Sequence, residues 1–341
     1  MAILADIETI IKANGFPRFG LTPLKEPISI DHYKKWINKG FHGEMFYLSE
    51  HLAIKTNPQK HYPKIKTAIV VAEPYFPHPQ PAPFSVRTAL YAQGQDYHQW
   101  LTNKLKLVCD RLSSQFPNEQ FLCFTDSAPV LERELAYLSG LGWVGKNTCL
   151  IHPQHGSLWF IGEIYSSVDF NESIHPQLPD MCGTCDRCIT ACPTGAIEAP
   201  RVLNATKCIS YWNIEAKTIA PEPIRTQMGD WFFGCDICQT VCPWNEKVFA
   251  KDQMRPRSAS LSALDEEGLR FLREVLALSN KELMRKYKDH PYSRARGRGL
   301  KRNALVVIAN LKLVELRPNV EAFVPLDEEM GQLKDWTLAH L

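Results

Sequence analysis

Apolar positions recur three and four residues apart at Leu4, Ile7, Ile10 and Ile11, which predicts a helix over Leu4–Ala13 that Asn14-Gly15 ends. A second helix is predicted from Ile30 to Lys39, with Gly40 as its stop. The pattern then changes period. Thr67–Ala72 is a short apolar run and reads as a buried strand. The five prolines from Pro74 to Pro83 deny the backbone its ladder bonds and predict a loop. A helix over Gln99–Gln115, a strand over Phe121–Phe124 and a helix over Ser127–Ser139 follow, the last with Leu131, Leu135 and Leu138 on one face. Leu158–Phe170 reads as a long strand that closes this α/β region. Beyond residue 250 the pattern is helical: Glu267–Leu278, a short basic helix over Lys281–Lys288, and Leu300–Leu311. His290–Gly299 reads as an Arg/Gly-rich loop, and the helices around it look like one HEAT-type pair. The expected fold class is α+β: an α/β domain over 1–175, a ferredoxin-like module over 176–250 and a small helical domain over 251–341.

Cysteines set the middle region apart. Cys182-Gly-Thr-Cys185-Asp-Arg-Cys188-Ile-Thr-Ala-Cys192-Pro193 has the spacing of bacterial ferredoxins. There, three thiolates hold one [4Fe-4S] cube and the fourth, just before proline, ligates the other. The second run, Cys235-Asp-Ile-Cys238-Gln-Thr-Val-Cys242-Pro243, has Phe232 where its first cysteine would stand, and Cys208 can replace it. This assigns Cys182, Cys185, Cys188 and Cys242 to one cluster and Cys192, Cys208, Cys235 and Cys238 to the other. Paired C-x2-C motifs also serve structural zinc, but zinc needs four ligands and gains nothing from a third cysteine or from the proline in both copies. A disulfide framework suits short secreted chains. Cys109, Cys123 and Cys149 lie in apolar contexts and read as core thiols.

Composition adds bounds. A chain of 341 residues, 45% hydrophobic and 22% charged, has room for two or three domains and a sizeable core. No apolar run reaches the length of a membrane span, and Met1–Lys12 is patterned as an amphipathic helix and not as a signal peptide, so no membrane partner is expected. Oxygen-sensitive clusters and free thiols point to a reducing cytoplasm. The net charge of +2 hides an asymmetry: nine Lys/Arg lie between Lys281 and Arg302 against Glu282 and Asp289, whereas the tail beyond Leu311 is acidic. A localised basic stretch suits an anionic partner. Arginines alternating with glycines suit phosphate contacts, and a solvated helix face is the other reading.

Two polar stretches also have two readings each. Asp126, at a strand–helix junction, is an N-cap by spacing alone, or an acid at the end of a strand. Gly140-Leu-Gly-Trp-Val-Gly-Lys-Asn147 nearly matches the phosphate loop of nucleotide hydrolases. It lacks the final hydroxyl and follows a helix where that loop follows a strand, which argues against an ATP site.

Taken together, these parts resemble the epoxyqueuosine reductase family. The resemblance is carried by Tyr91-Ala-Gln-Gly-Gln-Asp-Tyr-His98, Asp126-Ser-Ala-Pro-Val-Leu-Glu-Arg-Glu-Leu-Ala136, Gly140–Asn147, both cysteine runs, Cys208-Ile-Ser-Tyr211 and Arg298-Gly-Leu-Lys-Arg-Asn303. It implies an oxidoreductase that finishes queuosine at the wobble position of tRNA, using cobalamin beside two [4Fe-4S] clusters. It implies a corrin between the first domain and the cluster module, near Tyr97, His98, Lys146, Asn147 and Ser210, held without a D-x-H-x-x-G motif. It implies Asp126 as proton donor, its carboxyl raised by burial. Arg294, Arg296, Arg298, Lys301 and Arg302 would contact tRNA phosphates. A low-potential donor of flavodoxin or ferredoxin type and a monomeric state are expected. Two departures stand out: a short helical region ending in an acidic tail, and Lys55 where relatives often carry Arg. The same parts admit another corrinoid-dependent reductase, reductive dehalogenase-like, although Met1–Lys12 lacks a twin-arginine signal. They also admit a non-enzymatic ferredoxin-type electron carrier, which leaves the first domain without a role.

Overall fold

The computed structural model describes residues 2–75, 86–126, 128–170, 176–251 and 264–341. Most of the expected proline-rich loop, Ser127, and residues 171–175 of the expected domain boundary lie outside them.

Four antiparallel strands, β1 (Arg18–Pro23), β2 (Thr67–Pro74), β3 (Phe121–Phe124) and β4 (Trp159–Ser166), form a sheet in the order β1-β2-β4-β3. The two central strands are covered on both faces, which is why Thr67–Ala72 is apolar without alternation. One face carries α1 (Ala2–Ala13) and α2 (Tyr97–Gln115), with Ile7, Ile11, Leu101 and Leu105 against Ile69 and Ile164. Gly162 permits that approach, since a Cβ there would stand 2.9 Å from Leu105 Cδ1. The other face carries α3 (Glu132–Leu138), with Leu135 and Ala136 against Val70, Trp159 and Tyr165. β1 is an addition to the expected elements; Gly20 and Pro23 hide its strand pattern.

Two helix starts differ from expectation, and both matter for the site. α2 begins at Tyr97, capped by Asp96, whose side chain accepts the His98 N–H at 3.1 Å. α3 begins only at Glu132, with Leu131 at its N-cap position. Pro129 biases the residue before it away from helix, so Asp126 caps nothing.

The last region is built from α4 (Glu266–Ala277), α5 (Asn280–Lys286), α6 (Arg296–Asn310) and α7 (Glu328–Ala339). The expected Arg/Gly-rich loop is replaced by a 3-10 turn, Pro291–Ala295, and the first turn of α6. Its glycines serve packing: a Cβ at Gly297 would meet Asn280 Cα at 2.6 Å, so α5 and α6 touch backbone to backbone. α6 is buried on almost every side and joins the helices to the cysteine-rich module. The Asn303 amide donates to the carbonyls of Asn213 and Phe232 at 2.7 and 2.9 Å. Phe232 packs edge-on against Phe271 and Tyr292. On the module's other side, the fully buried Asn245 accepts from Ser157 N–H at 2.7 Å and donates to the Gln239 carbonyl at 2.8 Å. None of the described helices is long and apolar enough to cross a membrane.

Candidate active site

A cavity of about 380 Å³ opens where the three regions meet. The first turn of α2 brings Tyr97 and His98 to it, and the end of β3 brings Asp126. Cys208 and Ser210 come from the cysteine-rich module and Arg294 from the turn before α6. Asp126 adopts φ 47°, a left-handed conformation that Asp tolerates better than most residues. Its N–H donates to the Glu132 carboxylate, which holds the backbone in that shape.

The charges around Asp126 form one connected set. Tyr97 donates to Asp126 Oδ2 at 2.9 Å, and His98 Nε2 donates to the same oxygen. His98 Nδ1 meets Asp96 Oδ1 at 2.6 Å. Burial disfavours an imidazolium, but the two carboxylates outweigh it and push His98 up to about 9. Burial likewise pushes Asp126 up, yet the His98 bond, the charges of His98 and Arg294, and the Tyr97 hydroxyl together hold it below the usual carboxylate range. The expected raised carboxyl is therefore corrected: in this arrangement the proton rests on His98 and Asp126 is ionised. Arg294 Nη1 lies 3.6 Å from Asp126, and its Nε donates to Glu215 at 3.1 Å. Burial opposes its charge, but Glu215 and Asp126 hold the guanidinium firmly protonated. Tyr97 is fixed by stacking on Phe160, with ring centroids 4.3 Å apart and planes 14° apart.

The seven cysteines of the two runs and Cys208 lie close enough to influence one another. Cys188 feels Cys242 and Cys182, and Cys242 feels Cys182 and Cys185. Cys235 feels Cys208 and Cys192, and Cys238 feels Cys149 first and then Cys235 and Cys208. Donors already face the sulfurs: the Trp143 indole N–H lies 3.5 Å from Cys182 Sγ, and the Ala196 N–H 3.3 Å from Cys192 Sγ. Cys208 is on the cavity wall, so the cysteine-rich module borders the space that Asp126 faces.

Several expected site residues lie elsewhere. Lys146 and Asn147 are absent from the cavity wall: Lys146 Nζ donates to the Gly183 carbonyl at 2.7 Å, and the buried Asn147 donates to the Cys238 carbonyl at 3.2 Å. Both strap the Gly-rich turn to the module. Of the five expected tRNA contacts, Arg294 belongs to the cavity. Lys301 is buried and donates to the carbonyls of Val275 and Leu276 at the end of α4. Arg302 is buried on the carbonyls of Ala216 and Thr218. Arg298 grips Asp327 at 2.7 and 3.0 Å and Glu329 at 2.8 Å, so the acidic tail is its counterion. Of the five, Arg296 alone is exposed. Asp96, Glu215 and Tyr91 were missed; Asp96, two residues before His98 at a helix start, carried the plainest signal.

A family model described as "Epoxyqueuosine reductase QueG, DUF1730" matches residues 55–127, and one described as "4Fe-4S double cluster binding domain" matches 181–245. The chain is 35% identical over 313 residues to the epoxyqueuosine reductase of Xanthomonas campestris pv. campestris, covering 90% of this chain and 86% of that one. The chain belongs to the epoxyqueuosine reductase family. It is 40% identical over 223 residues to the Cellulophaga algicola enzyme, spanning 65% of this chain and 72% of the relative. A crystal structure of epoxyqueuosine reductase with an epoxyqueuosine-modified tRNA-Tyr stem loop superposes with a TM-score of 0.81 at 26% identity, covering 99% of this chain and 90% of that one. The chain is thus an oxidoreductase of queuosine biosynthesis with a double [4Fe-4S] domain.

Proposed function

We propose that this protein reduces epoxyqueuosine to queuosine at the wobble position of tRNA, with cobalamin in the cavity and Asp126 as the group that delivers protons. The observation that carries the reading is the Asp126–His98–Arg294 set on a cavity whose wall includes the cluster cysteine Cys208. Apolar and aromatic walls, Tyr91, Leu203, Ile214 and Phe233, combine with a polar rim of Ser210, Glu215 and Arg133. That lining fits the flat face and amide edge of a corrin. When bound, cobalamin supplies a strongly reducing cobalt centre for the epoxide.

The chain's own residues supply the rest. Taking the epoxide oxygen away as water consumes two electrons and two protons. His98 stores a proton and passes it across its bond to Asp126, which protonates the oxygen as the C–O bond breaks. Arg294 keeps Asp126 ionised between transfers, and Tyr97 orients it. Cys182, Cys185, Cys188 and Cys242 would hold one [4Fe-4S] cluster and Cys192, Cys208, Cys235 and Cys238 the other, and the clusters would supply single electrons drawn from a flavodoxin- or ferredoxin-type donor. The division at 175 and 250 follows this scheme: chemistry, electron supply, and support for RNA.

The structural relative that holds a modified tRNA stem loop supports an RNA substrate. On this chain the exposed Arg296 would contact a phosphate. Phe46, 57% exposed beside Met45 and Tyr47 of the cavity wall, offers a stacking face for an unpaired base. The test is anaerobic turnover of epoxyqueuosine-containing tRNA by cluster-loaded protein with and without cobalamin. Queuosine appearing only with cobalamin is the expected result; product without it removes cobalamin from the account.

A further inference from the structure

The Gly140–Asn147 stretch, which nearly spells a phosphate loop, has no part in the scheme so far. It is built against the double-cluster module. Trp143–Val144 pairs antiparallel with Leu150–Ile151. Two glycines let that pair close: a Cβ at Gly142 would stand 2.4 Å from the Ile151 carbonyl oxygen, and one at Gly145 would stand 2.4 Å from Ile151 Cδ1. Arg201 ties the stretch down from the module, its N–H donating to the Lys146 carbonyl at 3.0 Å and its Nε to the Val144 carbonyl at 2.8 Å. Arg201 also pairs with Asp180, whose other oxygen accepts the Cys182 N–H at 2.9 Å. With Lys146 on Gly183 and Asn147 on Cys238, the stretch holds both cysteine runs.

Trp143 reaches a sulfur directly. Its indole N–H points at Cys182 Sγ across 3.5 Å, and the residue is 1% exposed. The ring meets Trp244 edge-on, with centroids 5.2 Å apart and planes at 78°, and packs with Ile151, Met181 and Cys242. A hydrogen bond in such dry surroundings is stronger than one in water. An electron added to a [4Fe-4S] cluster puts more negative charge on its thiolates. A fixed donor therefore stabilises the reduced form more than the oxidised one, and the potential rises. We propose that Trp143 sets the potential of the cluster that Cys182 ligates, by donating its indole N–H to that thiolate. The bond makes this cluster accept its electron more readily than it would without the donor. Trp143 acts through Cys182 and is a positioning residue, and the inference rests on Cys182 as a cluster ligand.

The test is a redox titration of cluster-loaded protein followed by EPR. Cys182→Ala should lose one cluster's signal and about half the iron, which identifies that signal. Trp143→Phe keeps an aromatic ring against Trp244 and removes the donor. In that variant the midpoint of the identified signal should fall to lower potential, while the midpoint of the other cluster holds. An unchanged or higher midpoint overturns the proposal. Where Trp143→Phe does not load its clusters, the wild type decides. Protein grown with tryptophan carrying nitrogen-15 in the indole ring should show a nitrogen coupling to the reduced Cys182 cluster in pulsed EPR, and Trp244→Phe should keep it. No coupling overturns the proposal. The two readings separate cleanly: if Cys182→Ala keeps both signals, the ligand assignment fails and the inference with it; if it loses one and Trp143→Phe titrates as wild type, the role of Trp143 alone fails.

Discussion

The cluster around Asp126 and the seam around Arg302 use similar charged groups to opposite ends. Asp126 receives Tyr97 and His98 on one oxygen, has Arg294 within 3.6 Å, and faces a cavity. Arg302 is buried and donates to the carbonyls of Ala216 and Thr218 and to the Asn303 side chain. Burial lowers its pKa only to about 10, so it remains charged at neutral pH. His98 and Asp126 differ in that a proton can move between them. A fixed charge closed into backbone carbonyls holds two regions together; a titratable pair beside open space can do chemistry.

Substitutions can break that contrast. The largest effect belongs to Asp126→Asn, where turnover should fall about 10³-fold with iron content and melting temperature unchanged. Arg302→Ala should do the reverse. It leaves two buried carbonyls without their donor, so chemical denaturation should show a loss of about 3 kcal/mol, while kcat per folded molecule stays close to wild type. Activity lost without destabilisation in Arg302→Ala would erase the distinction.

His98 sharpens it through pH. Its folded pKa of about 9 stands above the ordinary 6.5, so the native state binds the proton more tightly. That contribution is fully present below about pH 6.5 and is lost as pH rises through about 9. It is on the order of 3 kcal/mol at most, at about 1.4 kcal/mol per unit. The stability difference between wild type and His98→Gln should shrink by that order between pH 6 and pH 9.5, and a constant difference contradicts the imidazolium. The smallest effects concern RNA. Arg296→Ala should lower the salt slope of tRNA binding by about one unit. Arg298→Ala, whose partners are Asp327 and Glu329, should leave the slope unchanged and cost about 1 kcal/mol of stability.

What could be read from the sequence follows the same division. The double-cluster module was legible because its signal is local: cysteine spacing and a trailing proline mark the segment that the double-cluster family model matches over 181–245. The apolar strands β2 and β4 were legible because burial on both faces leaves a continuous run. The Arg294–Arg302 stretch misled because its partners are remote. The acceptors of Arg302 lie at 216 and 218, that of Arg294 at 215, and those of Arg298 at 327 and 329. A sequence window shows five free cations where the fold has bound four of them. Asp126 was misjudged twice, as a cap because Pro129 delays α3, and as a raised acid because His98 and Arg294 come from other elements.

The central claim is that a single carboxylate, on a cavity walled by a cluster cysteine, delivers the proton for epoxide reduction. The most direct test is anaerobic single turnover at pH 7 with epoxyqueuosine-containing tRNA, comparing wild type and Asp126→Asn. Iron and cobalamin would be quantified in the same samples and product nucleosides read by mass spectrometry. The account predicts queuosine from wild type and almost none from Asp126→Asn at equal cofactor content. Equal queuosine from both contradicts it.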